Sequence, residues 1–184
     1  MKHGLKCIGE SRVQETAQKL SKLNNRTGAK FHLIGRLQKN KVRKAVELYD
    51  VIQTVDSIRL AERVSRISAE TRKQQHVYLQ VNTARDPLKQ GFDPKELPMA
   101  ARQISKLPNI IISGIMMIPP HIDIDKKYRK IYTKTRDLRD KIFNSGVETC
   151  LDLSMGMTRD FEIAIEEGAT HIRIGTGLFG ERIK

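Results

Sequence analysis

The sequence predicts an α/β fold in which parallel strands alternate with helices. Short apolar or β-branched runs recur along the chain, stretches of helical period separate them, and no linker or repeat interrupts the pattern. Such alternation is typical of parallel sheets, because parallel neighbours need a crossover connection that is usually a helix. With 184 residues and 39% hydrophobic content, the chain can bury a single sizeable core.

Seven runs are predicted to be strands because they are short and rich in β-branched or other apolar residues. They span residues 5–8, 31–34, 51–55, 77–81, 110–118, 150–153 and 171–174.

Apolar residues at helical spacing predict the helices between these strands. The stripes are Val13, Ala17 and Leu20; Leu60, Val64 and Ile67; Leu97, Ala101 and Ile104; Tyr128, Ile131, Leu138 and Ile142; and Phe161, Ala164 and Ile165. Asp123 and Asp125 lie near the start of the long basic helix, where the helix dipole favours anions. Gly168 is predicted to end the last full helix.

The position of the glycine-rich turns favours a barrel over an open doubly wound sheet. A dinucleotide-binding sheet carries such a turn after its first strand, where this chain reads IGESRVQE with a single glycine. The glycine-rich turns LSMGM and RIGTGLFG instead involve the last two strands, and (β/α)8 barrels frequently bind phosphate with the loops after strands 7 and 8. We therefore predict a (β/α)8 TIM-type barrel, formed by residues 1–184 as one domain that lacks the first strand–helix unit.

The stretch HIRIGTGLFG at residues 171–180 predicts an anion site. Gly175 and Gly177 lack a Cβ, so backbone N–H groups there can approach a ligand closely. Arg173 lies on the preceding strand, on the opposite face from the two isoleucines beside it. The pattern indicates a backbone cup next to a fixed positive charge.

The composition and the spacing of particular residues exclude several classes of protein and of binding site. No run reaches the ~18 apolar residues of a membrane span and no signal peptide opens the chain, so we expect a soluble, cytoplasmic protein. Cys7 and Cys150 lie far apart, which fits a reducing compartment. The five histidines, His3, His32, His76, His121 and His171, show no metal-ligand spacing, so no metal site is expected.

The net charge is +13, from 34 basic and 21 acidic residues, which favours anionic partners. Much of it lies in residues 36–44 and 126–141, which we interpret as solvated basic faces. Specific nucleic-acid binding is not favoured, because aromatic content is 5% and no RNP, KH or zinc-knuckle pattern is present. Non-specific association of the basic surface with nucleic acid stays an alternative.

Five stretches resemble the pyridoxal 5′-phosphate (PLP) homeostasis proteins, a barrel family related to the N-terminal domain of alanine racemase. They are GESRVQE (9–15), HLIGRLQKNK (32–41), QVNTARDPLKQGF (80–92), SGIMMIP (113–119) and LSMGMTRDFEIAIEEGATHIRIGTGLFGER (153–182). The resemblance implies that PLP is the cofactor. It also implies that Ser154, with the neighbouring backbone of Met155 and Gly156, holds the cofactor phosphate, and that Gly175 and Thr176 close the cup.

The resemblance also assigns residues to the cofactor ring. Arg173 matches the arginine that faces the pyridine nitrogen, where a cation disfavours protonation of that nitrogen. Ser11 stands where the family has asparagine, so its polar contact near the ring is shortened or lost.

The family's Schiff-base lysine lies in a segment N-terminal to anything in this sequence. Lys6 is not expected to replace it, because Lys6 lies on the strand before its G-E-S end. Lys89 matches a second family lysine near the mouth, and could act only as a weaker substitute.

We therefore expect a PLP-binding carrier or buffer, not an enzyme, whose clients would be PLP-dependent enzymes. A residual racemase-like activity is the alternative, but racemisation needs a base on each face of the substrate, and neither the lysine nor an opposing tyrosine is identifiable. The open barrel would expose strand edges at 5–8 and 172–174, which predicts a monomer or an edge-paired dimer.

Overall fold

The computed structural model describes residues 5–22, 28–120 and 125–180, and they contain one seven-stranded sheet. Its strands are β1 Cys7–Glu10, β2 Lys30–Leu33, β3 Val51–Val55, β4 Gln75–Gln80, β5 Ile110–Met116, β6 Asp152–Met157 and β7 His171–Arg173. All seven predicted strands are confirmed.

The bounds of six strands differ from the prediction, and two of these differences affect the candidate site. LSMGM was predicted to leave the strand as a turn, yet β6 continues to Met157. Gly156 adopts a φ of +91°, and the pairing with β7 shifts register between Ser154 and Met157. The glycine therefore allows an irregularity inside the strand where we had predicted a turn after it. At the other end of the chain, β1 begins at Cys7, so Lys6 precedes the strand and does not lie within it.

In the described residues, six helices lie between successive strands and a seventh follows β7. They are α1 Val13–Ser21, α2 Val42–Leu48, preceded by a 3₁₀ turn at Lys39–Lys41, α3 Ile58–Glu70, α4 Leu97–Ile104, α5 Asp125–Asn144, α6 Phe161–Glu166 and α7 Thr176–Phe179. Gly168 has a φ of +93° just after α6, as its predicted role as a helix stop requires. The predicted contribution of Asp123 to the start of α5 lies outside the described residues, as do His3 and His121.

The long basic helix α5 buries one face and exposes the other. Tyr128, Tyr132, Thr135 and Ile142 are buried, while most of the basic side chains between them face solvent or are partly exposed. The interpretation of residues 126–141 as a solvated basic face over an apolar stripe is confirmed.

The sheet curls into a nearly closed barrel. Each strand pairs in parallel with the next along the chain, from β1 through to β7. Across the described ranges no pairing joins β7 back to β1, so these two strands flank an opening that we call the seam. The seven strands with outer helices confirm the TIM-like α/β fold. The expected pairing of the free strand edges with a second chain stays a prediction.

The barrel wall separates two apolar clusters. The larger one lies between the sheet and the helices and contains Leu33, Ile52, Leu79 and Leu153, each fully buried. The smaller one lies on the other face of the sheet, inside the barrel, and consists of Val51, Tyr78, Met116 and Ile118. Met116 and Met117 are both fully buried, Met116 inside the barrel and Met117 in the outer core.

No helix in the described part of the chain is both long and apolar enough to cross a membrane.

The two thiols should differ in reactivity. Burial raises the pKa of the Cys150 thiol to about 12, whereas Cys7 is exposed. At pH 8 only about one Cys150 thiol in ten thousand is ionised, and the thiolate is the reactive form. We expect a disulfide reagent to label one thiol in the folded protein and two after denaturation. The Cys150→Ser variant should still react rapidly with the reagent, through Cys7. Loss of the rapid reaction in this variant would contradict the burial of Cys150.

Gly156 should tolerate a side chain less well than Gly146. Both have positive φ, +91° and +96°, so alanine costs each about 1 kcal/mol of backbone strain. A Cβ on Gly156 would lie 2.5 Å from the Ala164 Cβ, whereas a Cβ on Gly146 meets nothing within 4 Å. Gly156→Ala should therefore lose a further ~1–3 kcal/mol from overpacking. Urea unfolding measures the difference, and equal losses for the two variants would refute this view of the β6–α6 packing.

Candidate functional site

The carboxyl ends of the parallel strands form one rim of the barrel, and the segments after β6 and β7 meet there. Thr176 Oγ1 lies 3.4 Å from Thr158 Oγ1, and the Gly177 N–H points to the same Thr158 oxygen at 3.4 Å. These distances are long for hydrogen bonds. The two hydroxyls and the Gly177 N–H therefore lie close together but form only weak hydrogen bonds with one another. We call Thr158, Thr176 and Gly177 the rim cluster.

Glycine makes this approach possible. A Cβ on Gly177 would lie 2.9 Å from Thr158 Cγ2, so a larger residue would push the two segments apart. A Cβ on Gly175 would meet nothing within 4 Å, so the cluster is open on that side. The first amides of a helix have no intrahelical acceptor, which leaves the Thr176 and Gly177 N–H groups able to donate to a ligand.

Asp160 holds the segment that presents Thr158. Its carboxylate accepts a hydrogen bond from the Met157 N–H at 2.6 Å and a short one from the Tyr132 hydroxyl on α5. Asp160 is buried, and burial together with this bond raises the pKa of Tyr132. The residue that enters α6 is therefore anchored to the helix behind it.

Arg173 projects from β7 into the barrel below the rim cluster. Its Nη1 donates to Ser154 Oγ at 2.7 Å, and its Nη2 donates to the Met117 carbonyl at 2.7 Å. Burial lowers the pKa of Arg173 to about 10, an effect that Tyr132 and Asp160 oppose. The guanidinium is consequently still a cation at neutral pH.

Ser154 belongs to this interior layer. The Ser154 hydroxyl is almost fully buried and donates to Gln53 Oε1 at 2.7 Å, and Gln53 Nε2 lies 2.8 Å from His32 Nδ1. A polar chain thus crosses the barrel from Arg173 to His32. Within the described ranges no hydrogen bond joins Ser154 to Thr176.

Thr158 is the residue that sequence reasoning missed. Its hydroxyl, and not that of Ser154, faces Thr176. A threonine directly between the end of a strand and the start of a helix was the available signal, because hydroxyl residues are common ligands at such ends.

The other two residues expected in this cup have different surroundings. Met155 is fully buried and its side chain packs in the outer core, so only its backbone can contribute to a site. Gly156 lies against Ala164 of α6 and helps to bring β6 and α6 together.

Ser11 follows β1 at the same rim, on the far side of the seam from β7, and its side chain is exposed. A Cβ on Gly35 would lie 2.0 Å from the Ser11 carbonyl oxygen, so Gly35 is required where these two chain segments cross.

A second polar group occupies the barrel interior. Tyr78 donates to Asp152 Oδ2 at 2.7 Å and lies 3.5 Å from His171 Nδ1. His32 points into the barrel and is 4% exposed. Burial, and then the nearby His171, lower the pKa of His32 to about 4, so its ring is neutral at pH 7.

Lys89 lies in the loop after β4, and its Nζ donates to the Pro119 carbonyl at 3.0 Å. Pro119 follows β5, so this lysine reaches toward the rim end of the barrel. Lys6 lies at the opposite end, before β1, where its carbonyl accepts a hydrogen bond from the Lys30 N–H.

Comparisons with known proteins agree with this geometry. The family model "Alanine racemase, N-terminal domain" matches residues 1–183. The pyridoxal phosphate homeostasis protein of Aquifex aeolicus is 39% identical over 179 residues, which cover 97% of this chain and 78% of the relative. That of Synechocystis sp. is 36% identical over 181 residues, which cover 98% of this chain and 83% of the relative.

Solved structures give the same result. PipY of Synechococcus elongatus PCC7942, with PLP bound, superposes with a TM-score of 0.90 at 38% identity, covering 96% of this chain and 82% of that one. An alanine racemase of Clostridium difficile superposes with a TM-score of 0.78 at 16% identity, covering 100% of this chain and 47% of that one, which shows a shared fold. From its sequence and its barrel alike, the chain belongs to the alanine racemase N-terminal domain family, and within it to the pyridoxal phosphate homeostasis proteins.

Proposed function

We propose that this chain binds pyridoxal phosphate at the rim cluster and serves as a PLP-binding homeostasis protein, a carrier or buffer of the cofactor. One observation carries the proposal: the Thr176 hydroxyl and the Gly177 N–H both lie 3.4 Å from the Thr158 hydroxyl, at the same end of the barrel as the partly buried arginine cation at the end of β7. A phosphate monoester needs several N–H and O–H donors, and charge-assisted hydrogen bonds are the strong ones. The donor set at the rim fits this group.

In this proposal the phosphate is bound by Thr158, Thr176, Gly175 and the Gly177 N–H. The weak 3.4 Å contacts within the rim cluster support this assignment, because phosphate oxygens would accept from the same donors at shorter distance. The anchored Asp160 keeps Thr158 in place, with its carboxylate oxygens directed at the Tyr132 hydroxyl and the Met157 N–H.

The ring of the cofactor is assigned to the layer below. Arg173 would face the pyridine nitrogen, and its positive charge would hold that nitrogen unprotonated. Ser154 orients the guanidinium, the backbone of Met155 and Gly156 lines the approach, and Ser11 closes the side beyond the seam. PLP supplies a reactive aldehyde, and the chain's residues bind and shield it.

We further propose that attachment is non-covalent. Lys89, the lysine expected to act as a weaker substitute, donates to Pro119 and would have to give up that bond to turn inward. Charge-assisted hydrogen bonds of about 1.5–3 kcal/mol each can retain a phosphorylated ligand without a covalent bond.

Binding without catalysis is supported by the tyrosines, which in a racemase-like site would include a base. The four tyrosines of the chain, Tyr49, Tyr78, Tyr128 and Tyr132, are all buried. Tyr78 and Tyr132 donate to carboxylates, and burial raises their pKa values further above the usual range. These hydroxyls are poorly suited to accept a proton from a substrate.

Removal of the Thr158 hydroxyl should weaken PLP binding through the phosphate alone. We expect Thr158→Val to bind PLP about tenfold or more weakly, from the loss of one charge-assisted hydrogen bond. Pyridoxal, which has no phosphate, should bind wild type and variant equally. Thr71→Val, at the end of α3, is the matched control. Absorbance titration measures all three, and an equal loss for PLP and pyridoxal would contradict the phosphate assignment.

Borohydride should not fix the cofactor to the protein in stoichiometric amounts. We expect reduction of the PLP-loaded chain, followed by peptide mapping, to give no adduct or a minor one on Lys89. A Lys89→Met variant should remove that minor adduct and retain PLP. A stoichiometric adduct on any other lysine would overturn the non-covalent site.

The PLP-loaded chain should not racemise alanine. With no base identified on either face of a bound substrate, D-alanine should form no faster than in a control of PLP without protein. Chiral chromatography measures the product, and enzyme-dependent formation of D-alanine would refute the assignment as a carrier.

A further inference from the structure

Three side chains with soft or borderline metal-binding atoms meet inside the barrel at the seam. Cys7 belongs to β1, His32 to β2 and His171 to β7. The Cys7 Sγ and one ring nitrogen from each histidine all lie within 4.8 Å of one another. The group therefore draws ligands from both sides of the opening.

Strand register explains the convergence. Gly9 pairs with His32, and Cys7 lies two residues earlier on the same face of β1. Because Gly9 has no side chain, nothing on that position of β1 separates Cys7 from His32. Across the seam, the rings of His32 and His171 have centroids 5.6 Å apart.

An unpaired nitrogen inside the group points to a missing partner. His32 Nδ1 is bound to Gln53, while the buried His32 Nε2 has no hydrogen-bond partner in the described part of the chain. Buried polar atoms are nearly always paired, and an exception calls for an unseen water or ion. A metal ion would satisfy this nitrogen.

We propose that Cys7, His32 and His171 bind one Zn²⁺ ion across the seam. Thiolate and imidazole are the ligands that zinc prefers, and three protein ligands leave the fourth tetrahedral position to water from the exposed Cys7 side. Bonds of about 2.0–2.3 Å place tetrahedral ligand atoms roughly 3.3–3.7 Å apart. Since the three atoms lie within 4.8 Å of one another, the most widely separated pair must approach by up to about 1 Å.

The ligand chemistry determines which atoms of Cys7 and His32 carry a proton and how the Gln53 amide must be oriented. Cys7 loses its thiol proton to solvent when it binds the metal. His32 binds through Nε2, so its proton moves to Nδ1 and needs an acceptor. Gln53 supplies this acceptor if its amide turns so that Oε1 faces His32 and Nε2 faces Ser154. Hydrogen bonds of this kind commonly orient the histidines that bind a metal. Asp152 and Tyr78 face the group from β6 and β4, and Lys30 adds a positive charge nearby.

The zinc site lies away from the rim. Cys7 and His171 begin their strands, whereas Thr158 and Thr176 follow the ends of theirs. A metal at this position would bridge β1 and β7, between which the described residues form no strand pairing. Its expected effects are a stable connection across the seam and a stability that depends on metal concentration.

Cobalt titration of the full chain, without PLP, tests the proposal. We expect one equivalent of Co²⁺ to produce the near-ultraviolet thiolate-to-cobalt band and the visible bands of a tetrahedral site, and Zn²⁺ to displace it. Cys7→Ser should abolish the thiolate band and weaken binding by about 100-fold or more, beyond the ~10–100-fold typical of outer-layer changes. Cys150→Ser and His76→Ala are the matched controls and should behave as wild type.

Two further measurements test the metal site separately from the PLP site. Zn²⁺ should raise the melting temperature of wild type and of Thr158→Val, but not that of Cys7→Ser or His171→Ala, so failure of the PLP site is distinguishable from failure of the metal site. Zn²⁺ should also protect Cys7 from a thiol reagent. A missing thiolate band in wild type, or a band that persists in Cys7→Ser, would overturn the proposal.

Discussion

The partly buried cation of Arg173 is the constraint on which the candidate site at the carboxyl end of the barrel depends. A guanidinium removed from water is costly unless its donors are satisfied. Arg173 meets this requirement by donating to the Ser154 hydroxyl on β6 and to the Met117 carbonyl just after β5. Through these two hydrogen bonds, one side chain on β7 connects β6 with the end of β5. The segments that follow β6 and β7 leave the barrel side by side for this reason, and the rim cluster forms where they meet.

The barrel interior is unusually polar, and its stability rests on how completely the polar groups are paired. One chain of hydrogen bonds runs from Arg173 through Ser154 and Gln53 to His32, and a second joins Tyr78 to Asp152 beside His171. Networks of this kind are favourable only when every member has a partner. The exception at His32 Nε2 lies beside the seam, where in the described part of the chain no backbone pairing joins β1 to β7. An interior ligand at this point would complete both the polar network and the connection between the edges.

The large positive charge of the chain has little to do with the site itself. On α5 the basic side chains lie outside a buried stripe, and on α2 and the turn before it they face solvent, with Arg43 paired to Glu70 of α3. Arg173 is a cation that contacts the interior layer, where it donates to the Ser154 hydroxyl and to the Met117 carbonyl. The basic surface therefore contributes a long-range field that attracts anions, while recognition depends on a few placed donors.

The sequence predicted the seven strands, five of the seven helices in the described residues, the stop at Gly168 and the basic face of α5, because each depends on local periodicity or on one residue's backbone preference. Motif resemblance also identified the family and located the two glycine-rich segments. The continuation of LSMGM as strand is seen only in the three-dimensional structure. It places Ser154 in the barrel interior and Thr158 beside Thr176. The tertiary structure alone brought Cys7, His32 and His171 together, since residues far apart in sequence meet only when the sheet curls and its first and last strands approach. Spacing along a chain reports local geometry, whereas closure of a barrel is a property of all its strands at once.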